Sequence, residues 1–255
     1  MSIQKMLRSM VVPAALTLGV AAIIPVCQTI AADAPPTAPQ AAPQVEEGFV
    51  SLFNGKDLTG WVYGKTKKKD GTDGENKAGQ GYQIIDGAIC STKADGGNLY
   101  TEKEYANFVL RFEFKLTPNA NNGVGIRAPL TGDSAYQAME IQVLDDTGSA
   151  YWDAAENKPK LRPAQYHGSV YDVFPVERGH QKPVGEWNVQ EIMADGRHIK
   201  VTLNGAVILD ADLDSVKDEA VLKKHPGLKN ETGHIGFLGH GAEVAFRNLR
   251  IKELK

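Results

Sequence analysis

The run NFVLRFEFKL at positions 107–116 constrains the fold of this chain more than any other segment. Phe108, Leu110, Phe112, Phe114 and Leu116 fall on one side of a period-two repeat, with Asn107, Val109, Arg111, Glu113 and Lys115 on the other. Successive side chains of a strand point to opposite faces, so this run predicts a strand with one face in a core. RHIKVTLNG repeats the pattern with Ile199, Val201 and Leu203 inward, and AVILD follows after Asn204-Gly205. Both turn residues tolerate the positive φ of a two-residue hairpin turn. In EVAFRNLRIKE the apolar phase shifts from Val244 and Phe246 to Leu249 and Ile251, which predicts a bulge near Arg247-Asn248. Residues 210–224 read as the one short helix and residues 65–80 as a Gly-rich charged loop. About a dozen short strands without internal repeats favour packed sheets over propeller blades. The expected fold is all-β, a two-sheet antiparallel jelly-roll sandwich. Such sandwiches can bend one sheet into a groove, where a ligand site is sought.

Composition narrows the rest. The 255 residues carry 28 basic and 31 acidic side chains, so no basic excess recommends nucleic acid as a partner. Cys27 and Cys90 are too few for a disulfide framework or a thiolate-built zinc site. Lys5 and Arg8 precede an apolar run at 10–26, and the small residues Ala31 and Ala32 follow. That order predicts a signal peptide over residues 1–32 and an exported, periplasmic or extracellular protein. The run is shorter than the ~20 residues of a membrane span and contains Pro13 and Pro25, so no transmembrane span is expected in the mature chain. Lipid anchoring at Cys27 is the lesser alternative, because Val26 is larger than the residue that usually precedes a lipidated cysteine. Residues 33–46 form a Pro/Ala-rich linker, and residues 47–255 form the domain.

Within the domain, AMEIQVLDD puts Met139, Ile141 and Val143 toward the core, projects Glu140 and Gln142 from the other face, and ends on Asp145 and Asp146. NNGVGIRAP sends Val124 and Ile126 inward and places Gly123, Gly125 and Arg127 opposite, which leaves bare backbone where a ligand can approach. QYHGSVYDV offers His167 and Tyr171, KPVGEWN offers Lys182, Glu186, Trp187 and Asn188, and GHIGFLGHG offers His234 and His240. No Walker, Rossmann, G-x-S-x-G or HExxH motif is present, and Asp210, Asp212 and Asp214 lack the glycine and glutamate of a calcium loop.

In family order, GFVSLFNGKDLTGW, NGVGIR, MEIQVLDD, GSVYDV, KPVGEWN, LNGAVI, GHIGFLGHG and FRNLRIKEL resemble the 3-keto-disaccharide hydrolase domain family, formerly a domain of unknown function, across nearly all of residues 48–254. The resemblance implies a concanavalin A-like lectin/glucanase jelly roll, usually exported, acting on glycosides oxidised at carbon 3. Motif matching carries over Arg127, Glu140, Gln142, Asp145, Tyr171, Glu186, Trp187, Asn188 and His240, while His167 departs from the small residue many members place there.

A ketone at carbon 3 acidifies the proton at carbon 2, so elimination at carbon 1 needs a base, an enolate stabiliser and an acid. Glu140 suits the base, Arg127 the stabiliser, and His240 or His167 the acid, with Asp145 an alternative base. Gln142, His167, Tyr171, Lys182, Glu186, Trp187 and Asn188 are the expected substrate contacts. The sequence specifies no cofactor, but Asp145, Asp146, His167 and His240 have the oxygen and imidazole donors to hold a single divalent cation, which could serve in place of Arg127 as the enolate stabiliser. The rival reading is a non-catalytic carbohydrate-binding jelly-roll module with Tyr136, Tyr151, Trp152 and Tyr171 as aromatic platforms. A sandwich that only mediates protein contacts is a third.

Overall fold

The computed structural model describes residues 46–67, 73–75, 81–92 and 97–255. The expected signal peptide, Cys27 and all of the linker except Glu46 lie outside them. The strands are β1 (Val50–Ser51), β2 (Trp61–Tyr63), β3 (Lys65–Lys67), β4 (Asp73–Glu75), β5 (Tyr82–Ile85), β6 (Ala88–Ser91), β7 (Asn98–Tyr105), β8 (Phe108–Leu116) and β9 (Asn121–Ala128). Helix α1 (Ser134–Gln137) leads into β10 (Met139–Leu144), followed by β11 (Trp152–Asp153), β12 (Lys158–Pro159), β13 (Trp187–Asp195), β14 (His198–Leu203) and β15 (Ala206–Asp212). Helix α2 (Glu219–Lys224), β16 (Gly233–Leu238) and β17 (Val244–Glu253) complete the chain.

Two antiparallel sheets pack face to face as a jelly-roll sandwich. The larger has the order β15-β14-β13-β8-β17-β6-β5, with β1 also on β17, and the smaller has the order β10-β9-β16-β7-β2. Phe108, Leu110, Phe112 and Phe114 of β8 meet Val124 and Ile126 of β9 and Met139, Ile141 and Val143 of β10 in one core. Phe237 of β16 and Phe246 of β17 stack across it, with ring centroids 3.9 Å apart. The alternation in β8 is therefore the core face of the larger sheet.

Local chemistry explains the turns. Asn204 and Gly205 both have positive φ, and Leu203 pairs with Ala206 across the two-residue loop. The register of β17 on β8 slips between Arg247 and Arg250, with Asn248 at φ 53. The helix expected over residues 210–224 is shorter. β15 runs to Asp212, a 3-10 turn follows at Leu213–Ser215, and α2 starts only where the Asp218 carboxylate accepts the Ala220 and Val221 N–H groups. The loop expected over residues 65–80 contains a ladder, β3 on β4.

The feature that positions the site is a second burial. Strand β10 and strand β16 are buried at every residue, on both faces. The outer face of the smaller sheet carries a small apolar layer of Tyr100, Ala128, Ala138 and Leu238, flanked by Val62 and Leu130. The edge of β10 is also closed, since Gly168 and Tyr171 donate N–H to Gln142 and Glu140 carbonyls at 2.8 and 2.9 Å. A carboxylate on that face is taken out of water without being in the main core.

Candidate active site

Glu140 occupies this position and is only 3% exposed. Its backbone is held by the ladder to β9, where it pairs with Gly125. Its side chain lies across the neighbouring Gly123, where a Cβ would be 2.2 Å from Glu140 Oε1 and 2.7 Å from its Cγ. Glycine in a strand interior costs stability, and here it creates the seat for the carboxylate. Oε1 is buried and has no hydrogen-bond partner. His240, in the loop after β16, places Nε2 3.8 Å from it, with the imidazole half exposed toward solvent. Buried polar atoms are almost always paired, so an unpaired carboxylate oxygen beside an imidazole marks a place where a substrate proton can be received.

Tyr100 of β7 repeats the arrangement. A Cβ at Gly236 would lie 2.2 Å from its ring and one at Gly64 2.5 Å from it, so the phenol is seated between two glycines. Its hydroxyl accepts from Asn98 Nδ2 at 3.0 Å and shares a short hydrogen bond with Ser134 Oγ at the start of α1. Burial raises the Tyr100 pKa, and Glu140 is close enough to add to the rise. Tyr171 lies on the other side of the carboxylate, with its pKa also raised mainly by burial. Its hydroxyl accepts from Gln165 Nε2 at 3.1 Å, which leaves its own O–H to donate. Gln142, buried and opposite Gly123, completes the outward row.

Four expected residues therefore meet on one face: Glu140, Gln142, Tyr171 and His240. The glycines between them are filled by the protein's own side chains, not left open for a sugar. Tyr100, Asn98 and Ser134 were not anticipated. Tyr100 stands between the inward residues Leu99 and Thr101, so strand alternation alone would have put it on the outer face.

Arg127 has a different task. It sits at φ 50, where the strand leaves its extended form, and is 1% exposed. Its Nε donates to Ala106 O at 2.9 Å, Nη1 to Gly196 O at 2.8 Å and Asn230 O at 3.3 Å, and Nη2 to Asn107 Oδ1 at 3.2 Å. Those donors tie together three loops, which removes Arg127 from the role of oxyanion stabiliser beside Glu140.

His167 is a core residue stacked on Phe114 at 4.9 Å. Nδ1 accepts the Leu144 N–H at 3.3 Å, so Nε2 carries the proton and donates to Gln190 Oε1 at 2.9 Å. Burial pushes its pKa down to about 4, and it is neither an acid nor a ligand at neutral pH. Asp145 is occupied in shaping a turn, accepting from the Asn119 N–H at 2.7 Å and the Thr147 hydroxyl at 2.8 Å. Lys182, Glu186, Trp187 and Asn188 belong to the approach and start of β13 in the larger sheet. Asn188 Oδ1 accepts from Lys182 N and Asn204 Nδ2, Lys182 Nζ donates to the Trp187 carbonyl, and Arg247 covers the Trp187 ring. These contacts hold a corner of the sandwich away from Glu140. Asp145, Asp146, His167 and His240 do not converge, and among the described residues no group of three or more His, Cys, Asp or Glu side chains is arranged to hold a metal ion.

A buried carboxylate with imidazole and phenol neighbours, on the covered face of a two-sheet sandwich, brings together groups suited to proton transfer. The chain belongs to the family of 3-keto-alpha-glucoside-1,2-lyase-like domains, whose model matches residues 48–252. It is 29% identical over 242 residues to the 3-keto-disaccharide hydrolase of Bacteroides thetaiotaomicron, covering 82% of this chain and 79% of that protein. A candidate glycosyl hydrolase of Parabacteroides distasonis has the same fold with a TM-score of 0.67 at 27% identity, over 82% of this chain and 95% of that one. A second from the same organism gives 0.63 at 25% identity, over 81% and 99%. The chain is an enzyme of this lyase-like domain family.

Proposed function

We propose that this enzyme cleaves 3-keto-glycosides by elimination across carbons 1 and 2 followed by hydration, with Glu140 as the base. Glu140 takes the proton from carbon 2, and the electron pair of that bond forms the enolate of the carbon 3 ketone. The enolate then re-forms the ketone and expels the aglycone oxygen from carbon 1, leaving a double bond between carbons 1 and 2. Water adds at carbon 1 and gives its proton to His240, and carbon 2 is protonated by Glu140 after the carboxyl proton has exchanged with solvent. Tyr171, with its O–H free to donate, binds the enolate oxygen. His240, at the solvent side of Glu140, protonates the departing oxygen. Tyr100 stays protonated at neutral pH and fixes the opposite wall through Asn98 and Ser134.

The observation that carries this reading is the buried Glu140 Oε1, which has no hydrogen bond and lies 3.8 Å from His240 Nε2. Glu140→Gln keeps the shape and removes the base. Its turnover of a 3-keto-glucoside should fall by ~10²–10⁴-fold while substrate still binds. Full activity in that variant would move the base elsewhere. The same reading has the protein working outside the cytoplasm after loss of residues 1–32, which N-terminal sequencing of the mature protein tests.

A further inference from the structure

Beyond the far end of β10 from Glu140 lies a cavity of about 210 Å³ walled by Asp146, Tyr151, Trp152, Pro159, Tyr166 and Arg178. The distance along the strand from Glu140 to Leu144 alone is roughly 13 Å, so this cavity is separate from the carboxylate site. Its wall is the β11–β12 hairpin, in which Trp152 pairs with Pro159. Trp152 is 43% exposed and is the one aromatic among the exposed large apolar side chains of the described residues; the others are the aliphatic Val50, Ile85, Val184, Val189 and Val207. An exposed indole held on a short hairpin beside a cavity is characteristic of a binding surface rather than of a core.

The polar half of the cavity is equally specific. The Asp146 side chain is nearly buried, and desolvation is the main cause of its raised pKa. Arg178 Nε forms an ion pair with Asp146 Oδ2 at 3.7 Å, longer than a hydrogen bond, and its guanidinium carbon lies over the Tyr166 ring, 3.7 Å from the centroid. A carboxylate and a guanidinium that are ion-paired without a direct hydrogen bond can each take one of two adjacent hydroxyls, the first accepting and the second donating. The apolar C–H face of a pyranose matches the indole.

We infer that this cavity is a second, non-catalytic carbohydrate site that holds one hexopyranose residue, with Trp152 under the ring and Asp146 and Arg178 on two neighbouring hydroxyls. It accepts sugars that carry no ketone, so it does not depend on the elimination chemistry at Glu140. Its use would be to hold the enzyme on a larger glycan while the carboxylate site works on a separate unit.

The test uses the ¹⁵N-labelled full chain and two probes, methyl α-D-glucopyranoside and methyl β-D-glucopyranoside. The indole N–H resonance of Trp152 is identified by its loss in Trp152→Phe. Saturable movement of that resonance with at least one probe, with Kd on the order of 1–10 mM, is expected for so small a ligand. Asp146→Asn should weaken binding about tenfold, and Glu140→Gln should leave it unchanged. Trp152→Ala, a change at an exposed position, should abolish binding while turnover of a soluble 3-keto-disaccharide stays at the wild-type level. No saturable shift with either probe, or binding unaffected by Asp146→Asn, overturns the inference. Loss of binding in Glu140→Gln would also overturn it, because the probe would then occupy the carboxylate site.

Discussion

Gly123→Ala perturbs the site through a single methyl group placed where the Glu140 carboxylate now rests. The new Cβ would lie 2.2 Å from Oε1, 2.7 Å from Cγ and 2.8 Å from Cδ, whereas unbonded carbon atoms settle ~3.5–4.0 Å apart. The side chain must therefore shift by about 1 Å or more, because the neighbouring backbone is fixed in the ladder between β9 and β10. A misplacement of that size costs ~10²-fold in rate, equivalent to about 2.7 kcal/mol in the barrier. The strand itself accepts alanine, since Gly123 is not at positive φ. Steady-state turnover of a 3-keto-glucoside, measured beside thermal unfolding, should show the loss in kcat with the melting temperature nearly kept. Gly125→Ala is the internal control, because the atom nearest its Cβ would be on the Leu238 side chain, at 3.3 Å. Wild-type kcat in Gly123→Ala, or an equal loss in Gly125→Ala, would refute the idea that Gly123 seats the base.

His167 makes stability depend on pH in a defined window. Its pKa is about 4 in the folded protein against 6.5 for an ordinary imidazole, so below pH 6.5 the unfolded chain binds a proton that the native one refuses. Stability falls as pH drops from 6.5 to 4, by about 3 kcal/mol in total, and unfolding titrations of His167→Gln should lack that component. Arg127→Lys loses the fork that reaches three loops and should lower stability by about 3 kcal/mol, or ~6–12 °C in melting temperature, with kcat per folded molecule little changed. Tyr171→Phe removes the donor to the enolate and should reduce kcat by ~10²-fold, with little effect on melting.

Alternation made much of this legible. It put Phe108 to Leu116 on the core face, and it sent Glu140 and Gln142 outward from Met139, Ile141 and Val143. It failed at Arg127 for a local reason: a residue at φ 50 no longer follows the strand's period, and its guanidinium turns to carbonyls brought near by distant turns. His167 and Asn188 resemble ligand-binding residues by type, yet each satisfies buried polar groups whose positions depend on pairing between sheets or loops. Gly123 and Gly125 were readable as places of close approach, but not what approaches. The partner at Gly123 is Glu140 itself, and the parallel seat of Tyr100 on Gly236 depends on strands far apart in sequence, β7 and β16. Covering of the outer face was the least legible feature, because an exposed strand face and a buried polar one share the same Glu and Gln residues.

Proton transfer at carbon 2 can be followed directly. A 3-keto-glucoside incubated with enzyme in D₂O is examined by NMR for deuterium at carbon 2 of the recovered 3-keto sugar. The wild-type enzyme should introduce deuterium there as the double bond is rehydrated, and substrate deuterated at carbon 2 should react more slowly. Glu140→Gln should do neither at a rate within ~10²-fold of wild type. Product that keeps its original hydrogen at carbon 2, or exchange at the wild-type rate in Glu140→Gln, would contradict elimination with Glu140 as the base.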